Sequence, residues 1–428
     1  MTKLTRRTLL AAAPALALAS TAARAQAAKI EFLGWSAEEA PSKPSIEHMI
    51  RTFEQANSGT QVSWVGFQWG DVQRNLLLRI RGNQVPDVVQ IQDRWLPSLA
   101  RLPQMVDLNE VYGKAELEKL IDPGLLAMGR IRGKQMGMPW CSGTIGMVAN
   151  KRVLDDAGVG ELPTTVDAFV AALRKAKQKN ANSVPYPMAT KNNGSILLDV
   201  QIWMWTFGAQ FFDDAGAVKV NSPQAVQALE FMVALVKEGL AAVDIDRPDS
   251  RRLFAQEQSA MYFDAPVARS FARQMSGKGE AYDANVIPMP TPVAKAGDSP
   301  RAIQWGHVVS LMKKGDGPKA DGAAAKFLLH LTTNPDIQVL YYKNVGLFPT
   351  ARASLGRPEI SSDPYASRWM REAMRADRAE VANWENAVDL TNVIGEETQA
   401  AMLGQKAPAA AVAAMAQRLE PLMAKNRG

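Results

Sequence analysis

Bond-making chemistry needs nucleophiles, acids, bases or metal donors gathered at one place, and this chain offers few of them. Its histidines are His48, His307 and His330. None stands in H-E-x-x-H spacing or beside a cysteine pair, so no zinc site is written here. The lone cysteine, Cys141, excludes haem attachment and iron–sulfur ligation and reads as a quiet buried thiol. No G-x-S-x-G, P-loop or dinucleotide glycine fingerprint occurs. The acidic doublets Glu38-Glu39, Asp155-Asp156, Asp213-Asp214 and Glu396-Glu397 are sequence neighbours, which point different ways and make poor acid–base pairs. What remains is polar side chains beside indoles. In VPDVVQIQDRWLPSLARL, Val85 to Leu102, an apolar β-branched run stops in Gln92-Asp93-Arg94-Trp95. Such a cluster is either a helix cap with surface charges or the lip of a binding site.

The elements around it decide where it stands. KIEFLGW, QVSWVGF and VPDVVQIQ read as strands, and Ile46, Met49, Ile50 and Phe53 fall at helical spacing between the first two. DVQRNLLLRIRG is a helix stopped by Gly82. Strand–helix–strand repetition without hairpin signals predicts a wound sheet of parallel strands. In such sheets ligands sit just beyond the strands' carboxyl ends, where Gln68-Trp69 and Asp93-Arg94 stand. GKQMGMPW and GTIGMVANK read as two further extended segments. PTTVDAFVAALRKAKQ opens with Thr164 and Asp167 at capping-box spacing. In NSPQAVQALEFMVALVKEG, Ser222 caps, Pro223 fits the first turn and Gly239 stops the helix. SAMYFDAP is a short strand ending at Asp264, QWGHVVSLM another, and the chain is mostly helical from Ala323 onward.

Composition narrows the class. Lys3, Arg6 and Arg7, the uncharged run TLLAAAPALALASTAA, and Ala25-Gln26-Ala27 together read as a secretory leader cut after Ala27. Arg6-Arg7 resembles a twin-arginine address, with the ordinary secretory route as the alternative. The whole chain has 49 basic and 43 acidic residues. Without Lys3, Arg6, Arg7 and Arg24, the four bases of the leader, the balance is 45 against 43, which gives no basis for nucleic-acid binding. The 47% hydrophobic and 21% charged residues suit a soluble globular chain. With one cysteine, no disulfide framework supports it.

PDVVQIQDRWLPSLA, GKQMGMPWCSGTIGMVANKRVLDDAG, VNSPQAVQALEFMVALVKEGL, SAMYFDAPVARSF and AAAKFLLHLTTNPDIQVLYYKNVGLFPTARASL occur in an order that resembles the extracellular solute-binding proteins of the maltose-binding-protein type. The resemblance implies the α/β periplasmic-binding fold: two discontinuous lobes joined by a hinge, with a ligand cleft between them. Residues 28–143 and 286–344 would form the first lobe, and residues 144–285 and 345–428 the second. It also implies a ligand-binding function and no enzyme activity, cofactor or metal. A monomeric periplasmic receptor would bind a carbohydrate or polyol and deliver it to the membrane permease of an ATP-binding-cassette importer.

A sugar site needs carboxylate, amide and guanidinium groups for hydroxyls and aromatic faces for the C–H side of a ring. The chain holds 10 tryptophans against 7 tyrosines. The resemblance places candidate contacts at Trp35, Ser36, Trp140, Thr190, Lys191, Asn192, Asp264, Gly306, His307 and Arg352. The strand ends add Gln68, Trp69, Asp93 and Arg94, and a helical region adds Trp384. Trp95, Trp203 and Trp205 read as packing residues. Trp305 stands where the family commonly has glycine, so it either narrows the pocket or turns away. Two other readings stay open: an anionic ligand held by Arg94, Lys191 or Arg352, and an exported periplasmic enzyme.

Overall fold

The computed structural model describes residues 28–373 and 375–427. The expected leader, its twin arginine and the cleavage point after Ala27 lie outside the described residues. In chain order the strands begin with β1 (Ala28–Gly34), β2 (Thr60–Gly66), β3 (Val88–Gln92), β4 (Arg130–Ile131), β5 (Lys134–Gln135) and β6 (Met138–Asn150). They continue with β7 (Met261–Asp264), β8 (Val286–Met289), β9 (Ala302–Leu311), β10 (Phe348–Pro349) and β11 (Ala376–Asp377).

β1 lies between β2 and β3 and is parallel to both, as the alternating pattern predicts. β9 then runs antiparallel to β3, with His307 beside Gln92, and antiparallel to β6. The main path of the sheet is β10-β6-β9-β3-β1-β2, so it is mixed rather than wholly parallel. A strand that returns from two hundred residues away needs no crossover helix to its new neighbour, so either direction is open to it.

The two extended segments read around Gly137 and Gly143 are one strand. β6 pairs with β9 as far as Ile145, and from Gly146 it pairs with β7 and β8. It therefore carries the chain from one group of strands to another. β8, placed with the first lobe, bonds to the far half of β6. Residues just past 345, placed with the second lobe, bond to the near half: β10 pairs with Cys141 and Ser142, and Ala351 bridges Ile121.

The helices follow local signals. Lys43–Ala56 has Pro44 in its first turn and buries Ile46, Met49 and Phe53. Pro223–Lys237 is capped by Ser222, whose hydroxyl accepts the Ala225 N–H at 3.2 Å, and Gly239 follows in the left-handed region. The helix Val166–Lys179 is capped one residue later than expected, by Thr165, and the Thr164 carbonyl accepts the Val293 N–H. Ile196–Thr206 is buried on every face from Ile196 to Trp205, and Trp203 and Trp205 pack there as expected. Among the described residues no helix is long and apolar enough to cross a membrane. No group of three or more His, Cys, Asp or Glu among them could hold a metal ion.

Candidate ligand-binding site

The ends of β1, β3 and β7 converge with β9 and the starts of two helices around a cavity of about 640 Å³. The near wall is aromatic. Trp35 and Trp305 meet His307 edge to face at ring separations of 4.6 and 4.5 Å, and Trp35 and Trp69 each lie 5.5 Å from Trp95. The far wall carries Ser195, Leu198, Arg247, Arg251 and Asp264.

Hydrogen bonding fixes what His307 offers. The Gln90 Oε1 accepts the backbone N–H groups of Trp35 and Ser36, both at 3.2 Å. Backbone N–H groups only donate, so the other end of this amide must be the NH₂. That NH₂ donates to Ser36 Oγ at 2.7 Å and to His307 Nδ1 at 3.1 Å. His307 Nδ1 is therefore an acceptor and its Nε2 carries the proton. Nε2 is buried with no protein partner and belongs to a side chain lining the cavity. Burial pushes the imidazole pKa down to about 3, so a neutral ring presents one N–H donor. Gln92 lines the same cavity with a buried Oε1 that has no partner, which supplies an acceptor.

Glu39 faces the cavity without a hydrogen bond or ion pair to its side chain among the described residues. Burial, opposed by Arg251 and reinforced by Asp264, raises its pKa to about 7. Asp264 is fully engaged instead. Its carboxylate receives Arg251 at 2.8 and 2.9 Å, the Tyr262 hydroxyl at 2.9 Å and the Ala265 N–H at 2.8 Å. Burial alone would raise its pKa, but Arg251 and the other donors hold it below the ordinary value. Arg251 also lies 3.9 Å over the Phe271 ring. Arg247 is tied to Asp199 and to the Phe263 carbonyl. The two arginines thus build the wall, each held by its own carboxylate.

A second cavity, of about 730 Å³, adjoins the first across Trp69. Arg94, Trp95, Gln73, Asn193, Thr391 and Asn392 line it. The Arg94 guanidinium lies 5.3 Å from the Trp69 ring centroid.

Of the residues singled out in the sequence, Trp35, Trp69, Arg94, Asp264 and His307 line one or both cavities. Others stand elsewhere for physical reasons. Ser36 is buried between Gln90 and the Tyr341 hydroxyl. Trp140 packs in the core, stacked on Tyr341 at 5.0 Å. Gln68 is exposed at the end of β2. Asp93 turns inward and accepts the Arg94 N–H at 2.8 Å; burial, opposed by Arg378 and Arg94, raises its pKa to about 6. Gly306 serves packing, since a Cβ there would stand 2.7 Å from the Cys141 carbonyl. Thr190 ties its own loop, donating to the Ala242 carbonyl and accepting the Ile245 N–H. Lys191 pairs with Asp246, and Asn192 packs against Gly395. Arg352 binds the surface carboxylate of Asp122 at 3.2 Å. Trp384 packs against Phe212 and Gly216.

The lining also includes Gln92, from the cluster that ends β3, and residues not read as contacts in the sequence: Glu39, Ser195, Leu198, Arg247 and Arg251. Trp305 turns into the cavity and narrows it. A usable signal existed for the arginines. Asp246 and Asp249 form a capping box immediately around Arg247, which sets Arg247 and Arg251 four residues apart on one helix face.

Comparison with known proteins supplies the context. Residues 36–337 match the family model described as bacterial extracellular solute-binding protein. A binding protein of Brucella abortus is 24% identical over 267 residues, covering 60% of this chain and 62% of that protein. The maltotriose-binding protein of Pyrococcus abyssi is 23% identical over 295 residues, covering 69% of this chain and 61% of its own length. The chain thus spans about three fifths of the length of these curated relatives. The structure of maltose-bound T. maritima MalE3 superposes with a TM-score of 0.82 at 22% identity, covering 92% of this chain and 100% of that one.

Proposed function

The chain belongs to the bacterial extracellular solute-binding proteins, and from that premise we propose that it is the exported receptor of an ATP-binding-cassette importer. Its ligand is a carbohydrate or sugar alcohol, held between two lobes and handed to the membrane permease. β6, whose near half pairs with β9 and whose far half pairs with β7 and β8, is one crossing between the lobes. The observation carrying this reading is the cavity of about 640 Å³ walled by Trp35, Trp69 and Trp305. Into it face a donor, His307 Nε2, an acceptor, Gln92 Oε1, and the unpaired Glu39. Indole faces suit the apolar side of a sugar ring, and the three polar groups suit its hydroxyls. Nothing in this arrangement calls for a bond to be made or broken. Ligand that touches both lobes favours the closed form by its differential affinity for that form.

Thermal denaturation with a panel of sugars, polyols and their phosphates tests the proposal. A ligand at about one hundred times its Kd adds about 2.7 kcal/mol to the folded state and raises Tm. Trp305→Ala should then weaken that ligand on the order of tenfold to a hundredfold, as loss of a buried aromatic contact does. A panel that leaves Tm unmoved would sink the ligand class.

A further inference from the structure

Arg94 is the residue whose state within the protein is least complete. Its side chain is 7% exposed, and both terminal nitrogens, Nη1 and Nη2, are buried without a hydrogen-bond partner. A buried guanidinium left in that condition is costly unless a counter-charge meets it. Burial draws its pKa down to about 10, with Asp93 opposing and Arg247 reinforcing, so it remains a cation at neutral pH.

Among the described residues no carboxylate hydrogen-bonds to its terminal nitrogens. Arg94 opens on the second cavity, whose lining contains neither Asp nor Glu. Asp93, the carboxylate that acts on it most, uses Oδ1 to accept the Arg94 backbone N–H and also faces Arg378. The Nη2 of Arg378 is likewise buried without a partner. One carboxylate thus stands among two guanidinium groups. The rest of the cavity is suited to a ring: Trp69 and Trp95 give flat faces, and Gln73, Thr391 and Asn392 give groups for hydroxyls.

We propose that this second cavity is an anion subsite, so that the ligand is an acidic saccharide whose oxyanion pairs with Arg94 while its ring lies against Trp69. The inference rests on the receptor reading above and narrows it. A carboxylate matches the planar guanidinium fork with two parallel hydrogen bonds; a sulfate or phosphate offers the same oxygens in tetrahedral array.

Titration calorimetry on the leaderless chain with matched sugars decides it. Glucuronate is compared with glucose, galacturonate with galactose, and glucose 6-sulfate and glucose 6-phosphate serve as the other oxyanion arms. The acidic member of at least one pair is expected to bind ten or more times tighter than its neutral partner. Arg94→Gln should reduce that preference to threefold or less. If Arg94→Gln fails to fold, Arg94→Lys replaces it, keeping the charge but losing the fork, with a several-fold smaller preference expected. Preference for the neutral member, or an acidic preference that both variants retain in full, overturns the anion subsite and leaves the receptor reading standing. Binding of no saccharide, acidic or neutral, removes both.

Discussion

Glu39 is an acid in the wall of a cavity with no protein partner to ionise for. Its pKa of about 7 in the folded chain, against 4.5 as the ordinary value, has a definite sign. Below pH 4.5 the group is protonated in both states and contributes no pH dependence. Between 4.5 and 7 the unfolded chain releases the proton while the folded one retains it, so stability falls as pH rises, and the loss is complete above 7. Glu39→Gln mimics the neutral acid and escapes that loss. The variant should exceed the parent by about 1–3 kcal/mol at pH 8, seen as a Tm higher by a few degrees, and converge with it near pH 4.5. His307, whose pKa is instead pushed down to about 3, acts oppositely: its contribution is full above its ordinary value and is lost as pH falls. Because both chains contain His307, it cancels in the difference. A gap between the two proteins that stays constant from pH 4.5 to 8 would contradict the assignment. Glu39 was hard to find in the sequence because an acid beside an acid looks like a solvated surface. Only the fold brings Arg251 and Asp264, more than two hundred residues away, to face it. Trp35 and Trp140 show the same limit: both end extended segments as read in the sequence and both are buried, yet one lines the cavity and the other stacks on Tyr341.

The helix Arg247–Ala255 carries the far wall, and its first turn is built with care. Asp246 accepts the Asp249 N–H at 3.1 Å, and the Asp249 carboxylate accepts the Asp246 N–H at 3.3 Å. This reciprocal cap fixes the entry angle that sends Arg247 to Asp199 and Arg251 to Asp264. Asp246→Ala should cost about 0.5–2 kcal/mol, the usual range for a lost helix cap, measured as a lower urea midpoint at unchanged slope. It should also weaken the identified ligand, because the wall moves with the helix; a variant that loses stability but binds at full strength would separate the cap from the site. Elements specified by nearby residues were legible. Ser222, Pro223 and Gly239 delimit a helix from local capping alone, and its ends stand where those residues put them. β6 was not legible as one strand, because Pro139, Gly143 and Gly146 look like punctuation. Packing explains the glycines: a Cβ at Gly143 would stand 3.1 Å from Pro266, and one at Gly146 would stand 3.2 Å from Trp369. The antiparallel register of β9 on β3 is likewise set by pairing across two hundred residues, which no local window contains.

If the two lobes close on ligand as proposed, contacts outside the cavity would contribute to closure as well as those within it. Glu385 receives Arg101 at 3.2 Å and Arg132 at 2.6 Å. Both arginines come from the segment between β3 and β6, whereas Glu385 leads into the helix Ala387–Met402, which packs on the C-terminal helix Pro408–Arg427. Arg132 is placed for this by the two-residue turn joining β4 and β5, where Arg132 and Gly133 both have positive φ, at 50° and 81°. The arginine side chains are 65% and 80% exposed, so each pair contributes only about 0.2–1 kcal/mol and weakens with salt. In a hinge balanced near equality that would be enough, since about 1 kcal/mol shifts a two-state population roughly fivefold. Glu385→Gln should therefore increase the radius of gyration of the ligand-free protein in solution scattering. On the same proposal it should weaken a bound sugar about twofold to fivefold, chiefly through faster dissociation, because the closed form would lose a contact that separated lobes could not make. Raising ionic strength from 50 to 500 mM should move the parent the same way and the variant hardly at all. Scattering curves that coincide for parent and variant at both salt concentrations would show that the indoles and hydrogen-bonding groups of the cavity alone decide whether the lobes meet.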